Sequence, residues 1–339
     1  MSTSYAVAIV GATGAVGREM LRVLEQRRFP CGQVTLLASH RSAGRRLPFR
    51  DGEIEVRELD DAGRAFEGVR IALFSAGAQT SLKYAPLAAR AGAVVIDNSS
   101  AFRMDPDVPL VVPEVNFAAA LDRPRGIIAN PNCSTIQLVV VLGPLRAAAG
   151  LRRVVVSTYQ AVSGAGARAL AELDRQTRDD ADGRIPTADV LPFPIHGNLL
   201  FHDVKDPSGY TEEELKIVHE TRKILGDAAL RITATCVRVP VRVAHSEAAW
   251  VELERPMTVA QARALLARSP GIEVVDEPAA RRYPLPRELA GTDAVFVGRV
   301  REDASVPGGL AMWIVADNLR KGAALNAVQI AERLVVRGL

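Results

Sequence analysis

Two rhythms of apolar residues divide this chain. In its first part, short apolar runs at 5–10, 34–38, 69–75, 93–97 and 126–129 lack the alternation of a half-solvated strand and predict strands buried on both faces. A more alternating run at 53–59 predicts a further strand. Between them lie helical periods. Over 16–27, Val16, Met20, Leu21, Val23 and Leu24 share one face, and 79–91 reads the same way. Strand alternating with helix predicts a parallel, doubly wound α/β sheet. After an apolar helix at 134–149 the rhythm changes. Long extended runs at 153–162, 231–239, 243–253, 295–301 and 310–316 predict a mixed or antiparallel sheet, with helices at 164–178, 211–225 and 258–268. The last helix, 321–337, carries Leu325, Val328, Ile330 and Leu334 on one face, which suits packing back on the first domain. Stretches rich in proline, glycine and charge at 41–52, 101–113, 181–210 and 276–294 predict loops.

The first strand runs into Gly11-Ala12-Thr13-Gly14-Ala15-Val16-Gly17 and then into the first helix. Glycines in such a turn let backbone approach a pyrophosphate, whose charge the helix N-terminus stabilises. The spacing, GxxGxxG, is a variant of the usual fingerprint, and the strand before and helix after it give it weight. The next strand ends at Ser39-His40-Arg41-Ser42. No acidic residue stands there to take the ribose hydroxyls of NAD. Arg41 and Ser42 suit a 2′-phosphate instead, so the expected cofactor is NADP(H).

Cys133 sits in Asn130-Pro131-Asn132-Cys133-Ser134-Thr135, where a strand yields to the 134–149 helix. A thiol there meets the positive end of the helix dipole, which favours the nucleophilic thiolate. Asn132 and nearby amides are suited to an oxyanion. A second strand–helix turn, Tyr159 to Gly166, offers Gln160 to orient an acyl group and Ser163 and Gly164 to touch the nicotinamide end of a cofactor. Cationic candidates are Arg103, Lys216 and Arg238, since arginine pairs bidentately with carboxylate or phosphate. Alternation places Arg238, Pro240 and Arg242 on one side of an extended run. His245 follows in the same segment and is matched to proton transfer near neutral pH; in its cationic form it would also favour a Cys133 thiolate.

Composition narrows the partners. The chain has 339 residues and a net charge of +3, with no basic run interleaved with aromatics, so nucleic acid is not expected. Three cysteines, Cys31, Cys133 and Cys236, form neither a disulfide framework nor a CxxC pair and fit a reducing compartment. The five histidines lack metal-binding spacings, so no metal is expected. Neither a membrane span nor a signal peptide is read from the chain, and the expected location is cytoplasmic.

The motifs NPNCST (130–135), YQAVSGAG (159–166), SSAFRMD (99–105), EEELKIVHETRKI (212–224), VRVPVRVAHSE (237–247) and ADNLRKGAALNAVQIAE (316–332) closely resemble those of bacterial aspartate-semialdehyde dehydrogenases. They occur in that family's order, and the likeness covers residue 9 to about 332. The resemblance implies a Rossmann-like NADP-binding domain over 1–132, completed by 318–339. It also implies an α+β catalytic and dimerisation domain over 133–317, similar to that of glyceraldehyde-phosphate dehydrogenase, and a homodimer. The implied reaction is NADPH-dependent reductive dephosphorylation of L-aspartyl 4-phosphate to L-aspartate 4-semialdehyde. Its product feeds lysine, diaminopimelate, threonine, methionine and isoleucine synthesis. By motif, Cys133 resembles the thioester nucleophile and His245 the acid/base. Gln160, Arg238 and Glu213 resemble substrate ligands, and Arg103 and Lys216 phosphate ligands. Gly11, Thr13, Gly14, Ala15, Val16, Gly17, Arg41, Ser42, Ser163, Gly164 and Asn318 resemble cofactor contacts. The segment 195–202, Ile-His-Gly-Asn-Leu-Leu-Phe-His, departs from the family's Ala-Phe-Asn-like pattern followed by proline.

Two other readings stay open at this point. One is a different acyl-phosphate reductase, of the N-acetyl-glutamyl-phosphate type, against which the Asn-Cys-Ser-Thr motif counts. The other is a catalytically silent paralogue with a binding role, against which the presence of Cys133, Gln160, Arg238 and His245 counts.

Overall fold

The computed structural model describes residues 4–204 and 206–339; residue 205, inside the loop expected over 181–210, lies outside them. The chain divides into two compact units. One takes the chain up to Asn132 together with Ala323–Leu339, and the other is Cys133–Gly322.

Seven strands build the first unit's sheet: β1 (Tyr5–Val10), β2 (Cys31–Ala38), β3 (Arg46–Phe49), β4 (Gly52–Glu58), β5 (Ile71–Phe74), β6 (Val94–Asp97) and β7 (Ile127–Ala129). Their order is β3-β4-β2-β1-β5-β6-β7, and every pair is parallel except the β3–β4 hairpin. The order reverses at β1, the switch point where such sheets open a crevice at their carboxyl ends. Helix α1 (Ala15–Gln26) follows β1 and buries Met20, Leu21, Val23 and Leu24, while α2 (Ala78–Arg90) follows β5. A short helix, α3, covers Pro113–Asn116.

The second unit begins with α4 (Cys133–Ala149), whose residues Ile136 and Leu138 to Leu142 are all buried. A helix apolar on every side belongs inside a domain. Its sheet holds β8 (Leu151–Gln160), β9 (Leu200–Phe201), β10 (Arg231–Arg238), β11 (His245–Leu253), β12 (Ile272–Val274), β13 (Val295–Asp303) and β14 (Gly309–Ala316), ordered β12-β13-β14-β11-β8-β10-β9. It is mixed: β8–β10 and β12–β13 are parallel, the other pairs antiparallel. Helices α5 (Ala167–Ala181), α6 (Glu212–Leu225), α7 (Val259–Ala267) and the one-turn α8 (Pro286–Leu289) complete it. The last helix, α9 (Leu325–Val336), belongs to the first unit. Its Leu325, Val328, Ile330 and Leu334 are fully buried in one core with Met20 and Leu24.

Several expectations need correction. The span 41–52 is not all loop, because Leu47 and Phe49 alternate with polar residues and form β3 at the sheet edge. The spans 181–210 and 276–294 likewise contain β9 and α8. Strand β12 escaped notice because three residues carry almost no period. Helix α5 starts at Ala167 rather than 164, since Gly166 at φ 92° ends a separate 3₁₀ turn, Val162–Ala165. The chain re-enters the first unit at Ala323, not 318. Residues up to Gly322 stay with the second unit, where Asp317 and Asn318 are hydrogen-bonded.

Candidate active site

Strand register assembles the chemistry of the second unit. Arg238 pairs with Gln160 across β10–β8, and β11 runs antiparallel to β8 with Ser246 opposite Tyr159. His245, Gln160 and Arg238 therefore stand at the ends of three adjacent strands. Helix α4 presents Cys133 to them, with His245 Nε2 3.2 Å from Cys133 Sγ. Two residues further in, the register brings Thr158, Cys236 and Glu247 side by side. Burial raises the carboxyl of Glu247 well above its ordinary value and pushes the Cys236 thiol up.

The backbone decides what His245 can do. The N–H of Ala161 donates to His245 Nδ1 at 2.9 Å. An N–H cannot accept, so Nδ1 carries no proton and the neutral ring holds its hydrogen on Nε2, facing the sulfur. Burial, and then the Arg238 charge, depress the His245 pKa to about 3. The cationic His245 expected from sequence is thus replaced by a neutral hydrogen-bond donor. The ring is aimed by Ala244, a non-glycine residue at φ 75° whose N–H donates to Asn318 Oδ1 at 3.0 Å. Such a conformation persists only where its surroundings impose it.

Close packing explains two glycines. A Cβ on Gly164 would lie 2.9 Å from Arg238 Nη1 and 3.2 Å from the His245 ring. One on Gly322 would lie 3.0 Å from Cys133 Cβ. Gly322, in a π-helical turn at Arg320–Ala324, was not singled out from sequence although the ADNLRKG motif contains it.

The polar residues interlock. Arg238 is buried and donates from Nη1 to Ala161 O at 2.9 Å. Gln160, fully buried, donates from Nε2 to Ser134 Oγ at 3.0 Å and to Glu213 Oε1 at 3.2 Å. Its Oε1 lies 2.8 Å from Nε2 of His202, which ends the 195–202 segment that departs from the family pattern and to which the sequence assigned no role. Thr211 and Glu214 close a capping box that starts α6, so Glu213 and Lys216 project one turn apart. Burial opposes the Lys216 charge, but Glu213 and Glu212 outweigh it and raise its pKa; its Nζ is 3.3 Å from Glu213 Oε2. Ser163 Oγ accepts from Asn318 Nδ2 at 3.0 Å. Arg242 does not share the face of Arg238: β10 ends at Arg238, and Arg242 is exposed and paired with Asp174.

In the first unit, a cavity of about 610 Å³ is lined by Gly11, Thr13, Gly14, Arg41, Glu58 and Tyr84 among others. Gly11, at φ 84°, approaches Ser75 so closely that a Cβ would meet its carbonyl oxygen at 2.5 Å, and no side chain caps the start of α1 at Gly14. Gly17 packs on Gly11, and its Cβ would fall 2.2 Å from Gly11 O. Backbone of this shape, ending in uncapped helix N–H groups, fits a dinucleotide pyrophosphate. Ala15 and Val16 form the first turn of α1, and Thr13 Oγ1 donates to Ser42 Oγ at 3.3 Å. Sequence inspection missed Glu58. It reaches the cavity from the end of β4, not β2, and lies 3.1 Å from His40 Nδ1. Arg103, buried in this unit, donates from Nε to Asn130 O at 3.0 Å and from Nη2 to Asn98 O at 2.9 Å.

Among the described residues, no cluster of His, Cys, Asp and Glu could hold a metal, and no helix is long and apolar enough to cross a membrane.

Comparison with known proteins agrees with this geometry. Residues 6–123 match the semialdehyde dehydrogenase NAD binding domain, and 142–321 the semialdehyde dehydrogenase dimerisation domain. The chain is 54% identical to an aspartate-semialdehyde dehydrogenase of Aquifex aeolicus, covering 99% of both chains, and 48% identical to that of Bacillus subtilis, covering 98% of both. It superposes with a TM-score of 0.94 on the crystal structure of aspartate semialdehyde dehydrogenase II complexed with ASA from Vibrio cholerae, at 47% identity over 98% of this chain and 99% of that one. An enzyme of Candida albicans, solved with NADP, matches with a TM-score of 0.77 at 26% identity over 97% of this chain and 98% of that one. A cysteine at a helix start beneath a neutral histidine, a dinucleotide cradle and full-length likeness at about half identity lead to one conclusion: the chain belongs to the aspartate-semialdehyde dehydrogenase family.

Proposed function

We propose that this protein reduces L-aspartyl 4-phosphate to L-aspartate 4-semialdehyde with release of phosphate, using NADPH, at Cys133. The observation that carries this reading is the Cys133–His245 pair, 3.2 Å apart and ringed by Gln160, Arg238 and Glu213. The Cys133 thiolate adds to the acyl carbon and phosphate leaves with the electron pair of the broken C–O bond, giving a thioester. The reduced nicotinamide, when bound, supplies the hydride that converts a thioester to the aldehyde level. His245 donates from Nε2 to the sulfur and so stabilises the thiolate before it attacks the acyl carbon and again when it is expelled as the hemithioacetal collapses to the aldehyde. The buried Arg238 guanidinium suits the substrate carboxylate, Glu213 its ammonium group and Gln160 its acyl group. Arg103 and Lys216 are assigned to phosphate by their family motifs. Gly11, Thr13, Gly14, Ala15, Val16 and Gly17 are assigned to the pyrophosphate turn, and Ser163, Gly164 and Asn318 to the nicotinamide end. The first unit serves as the NADP-binding domain and the second as the catalytic and dimerisation domain. The product supplies lysine, diaminopimelate, threonine, methionine and isoleucine synthesis in the cytoplasm.

The test is phosphate-dependent reduction of NADP by aspartate semialdehyde, run beside N-acetylglutamate semialdehyde. Preference for the latter would refute the substrate assignment. NADP should be preferred to NAD because Arg41 lines the cavity. In the same assay Arg41→Ala should raise the KM for NADP by about tenfold while leaving that for NAD nearly unchanged. Equal effects on the two nucleotides would refute this assignment.

The protein is further expected to form a homodimer through the second unit. Sedimentation at micromolar concentration should show twice the chain mass. A species of 36.3 kDa alone would refute it.

A further inference from the structure

We propose that His202 is a positioning residue that sets which end of the Gln160 amide faces the reacting acyl group. This rests on the assignment of Gln160 under the proposed function. The Glu213 carboxylate can only accept a hydrogen bond, and it lies 3.2 Å from the Gln160 amide nitrogen. A flipped amide would set oxygen against oxygen there. The amide oxygen therefore points the other way, to His202 Nε2 at 2.8 Å. For that contact to be a bond, His202 must donate from Nε2. Burial lowers the pKa of His202, against the pull of Glu213 and with the help of Arg238, so a neutral ring protonated on Nε2 fits the site.

The fold delivers this ring on purpose-built backbone. Strand β9 is only two residues long, Leu200–Phe201, and pairs Leu200 with Arg238 and Phe201 with Val237 on β10. That pairing seats His202 one residue past a strand whose neighbour ends in Arg238. Gln160 is fully buried, and replacing His202 by a group that cannot donate takes the hydrogen-bond partner from its carbonyl oxygen. A buried group that loses its partner is destabilised, which favours turning the amide or letting it wander. The amide then no longer holds its two N–H groups on Ser134 and Glu213, the arrangement that fixes how it stands beside an acyl group on Cys133.

The experiment is a set of variants: H202F, H202Q, Q160A and H202F/Q160A. H202F should lower kcat/KM for aspartate semialdehyde by about tenfold with the KM for NADP unchanged. H202Q, whose amide N–H reaches the position of Nε2, should recover most of the loss. On the Q160A background H202F should cost nothing further, because the group it positions is gone. Full activity in H202F, or an equal loss on both backgrounds, would overturn the proposal. A second arm needs no substrate. With selective 15N-glutamine labelling, the Gln160 side-chain signal, identified by its loss in Q160A, should shift in H202F and return in H202Q. An unmoved signal in H202F would overturn the proposal even if aspartate semialdehyde proved not to be the substrate. An inactive wild type with the expected spectral shift would instead remove the substrate assignment and leave the role of His202 standing.

Discussion

Cys133→Ala should abolish phosphate-dependent NADP reduction by aspartate semialdehyde, by about 10⁴-fold or more, while nucleotide binding and folding persist. The expectation follows from position. Cys133 is the first residue of α4, is partly exposed, and has the Nε2 of a neutral histidine 3.2 Å from its sulfur. Helix N–H groups, the histidine N–H and the nearby Arg238 guanidinium all favour the anionic sulfur. The other two cysteines lack this setting. Both are buried; burial pushes the Cys31 thiol up to about 11 and raises Cys236 as well. Iodoacetamide should therefore label Cys133 first, and saturating substrate should protect it. Mass spectrometry of a quenched reaction should find the aspartyl adduct on the peptide holding Cys133. Uniform labelling of the three thiols, together with an active alanine variant, would exclude covalent catalysis here.

His245→Asn should cut turnover by about 10²-fold with little change in nucleotide binding, because asparagine is too short to bring an N–H to the sulfur. His245→Gln should lose less, since its amide reaches further and donation, rather than titration, is the role left to a ring whose Nδ1 already accepts from Ala161. Equal damage from both would favour a titrating group. The same burial has a consequence for stability. The folded ring resists protonation down to about pH 3, whereas in the unfolded chain it takes up a proton near 6.5. No stability is lost through this group above pH 6.5. Below it the unfolded state binds the extra proton, and stability falls with pH until the folded ring also titrates. Between pH 7 and pH 5 the wild type should therefore lose roughly 2 kcal/mol more than His245→Gln in denaturant unfolding. Parallel losses in the two proteins would show that the ring is not held neutral.

Much of the fold was legible because it rests on local periods. Unbroken apolar runs marked β1, β2, β5, β6 and β7, and a one-sided helical stripe marked α1 and α9. The glycine turn was readable for the same reason, since a strand, a tight turn and a helix are consecutive in the chain. The strands β3, β9 and β12 were not readable, because each is short and none has a run of three apolar residues such as marked β5, β6 and β7. Their existence depends on a neighbouring strand edge that supplies their hydrogen bonds.

The candidate site divides along the same line. Cys133 could be picked out because a helix start is encoded next to it, and Gln160, Arg238 and His245 because each lies in a recognisable segment. That the last three stand side by side was decided by register, parallel for β10 and antiparallel for β11 against β8, which no spacing along the chain expresses. The tertiary structure alone made His245 a neutral donor, because the deciding partner is the backbone N–H of Ala161, a group every residue but proline carries. It alone brought Glu58 to the nucleotide cavity, Gly322 against Cys133 and His202 to Gln160. It also sent Arg242 to an exposed ion pair, since the strand ends at Arg238 and alternation ends with it. Sequence determined which residues could do the chemistry through their local secondary structure. Only long-range pairing and burial determined which of them meet, and in which protonation state.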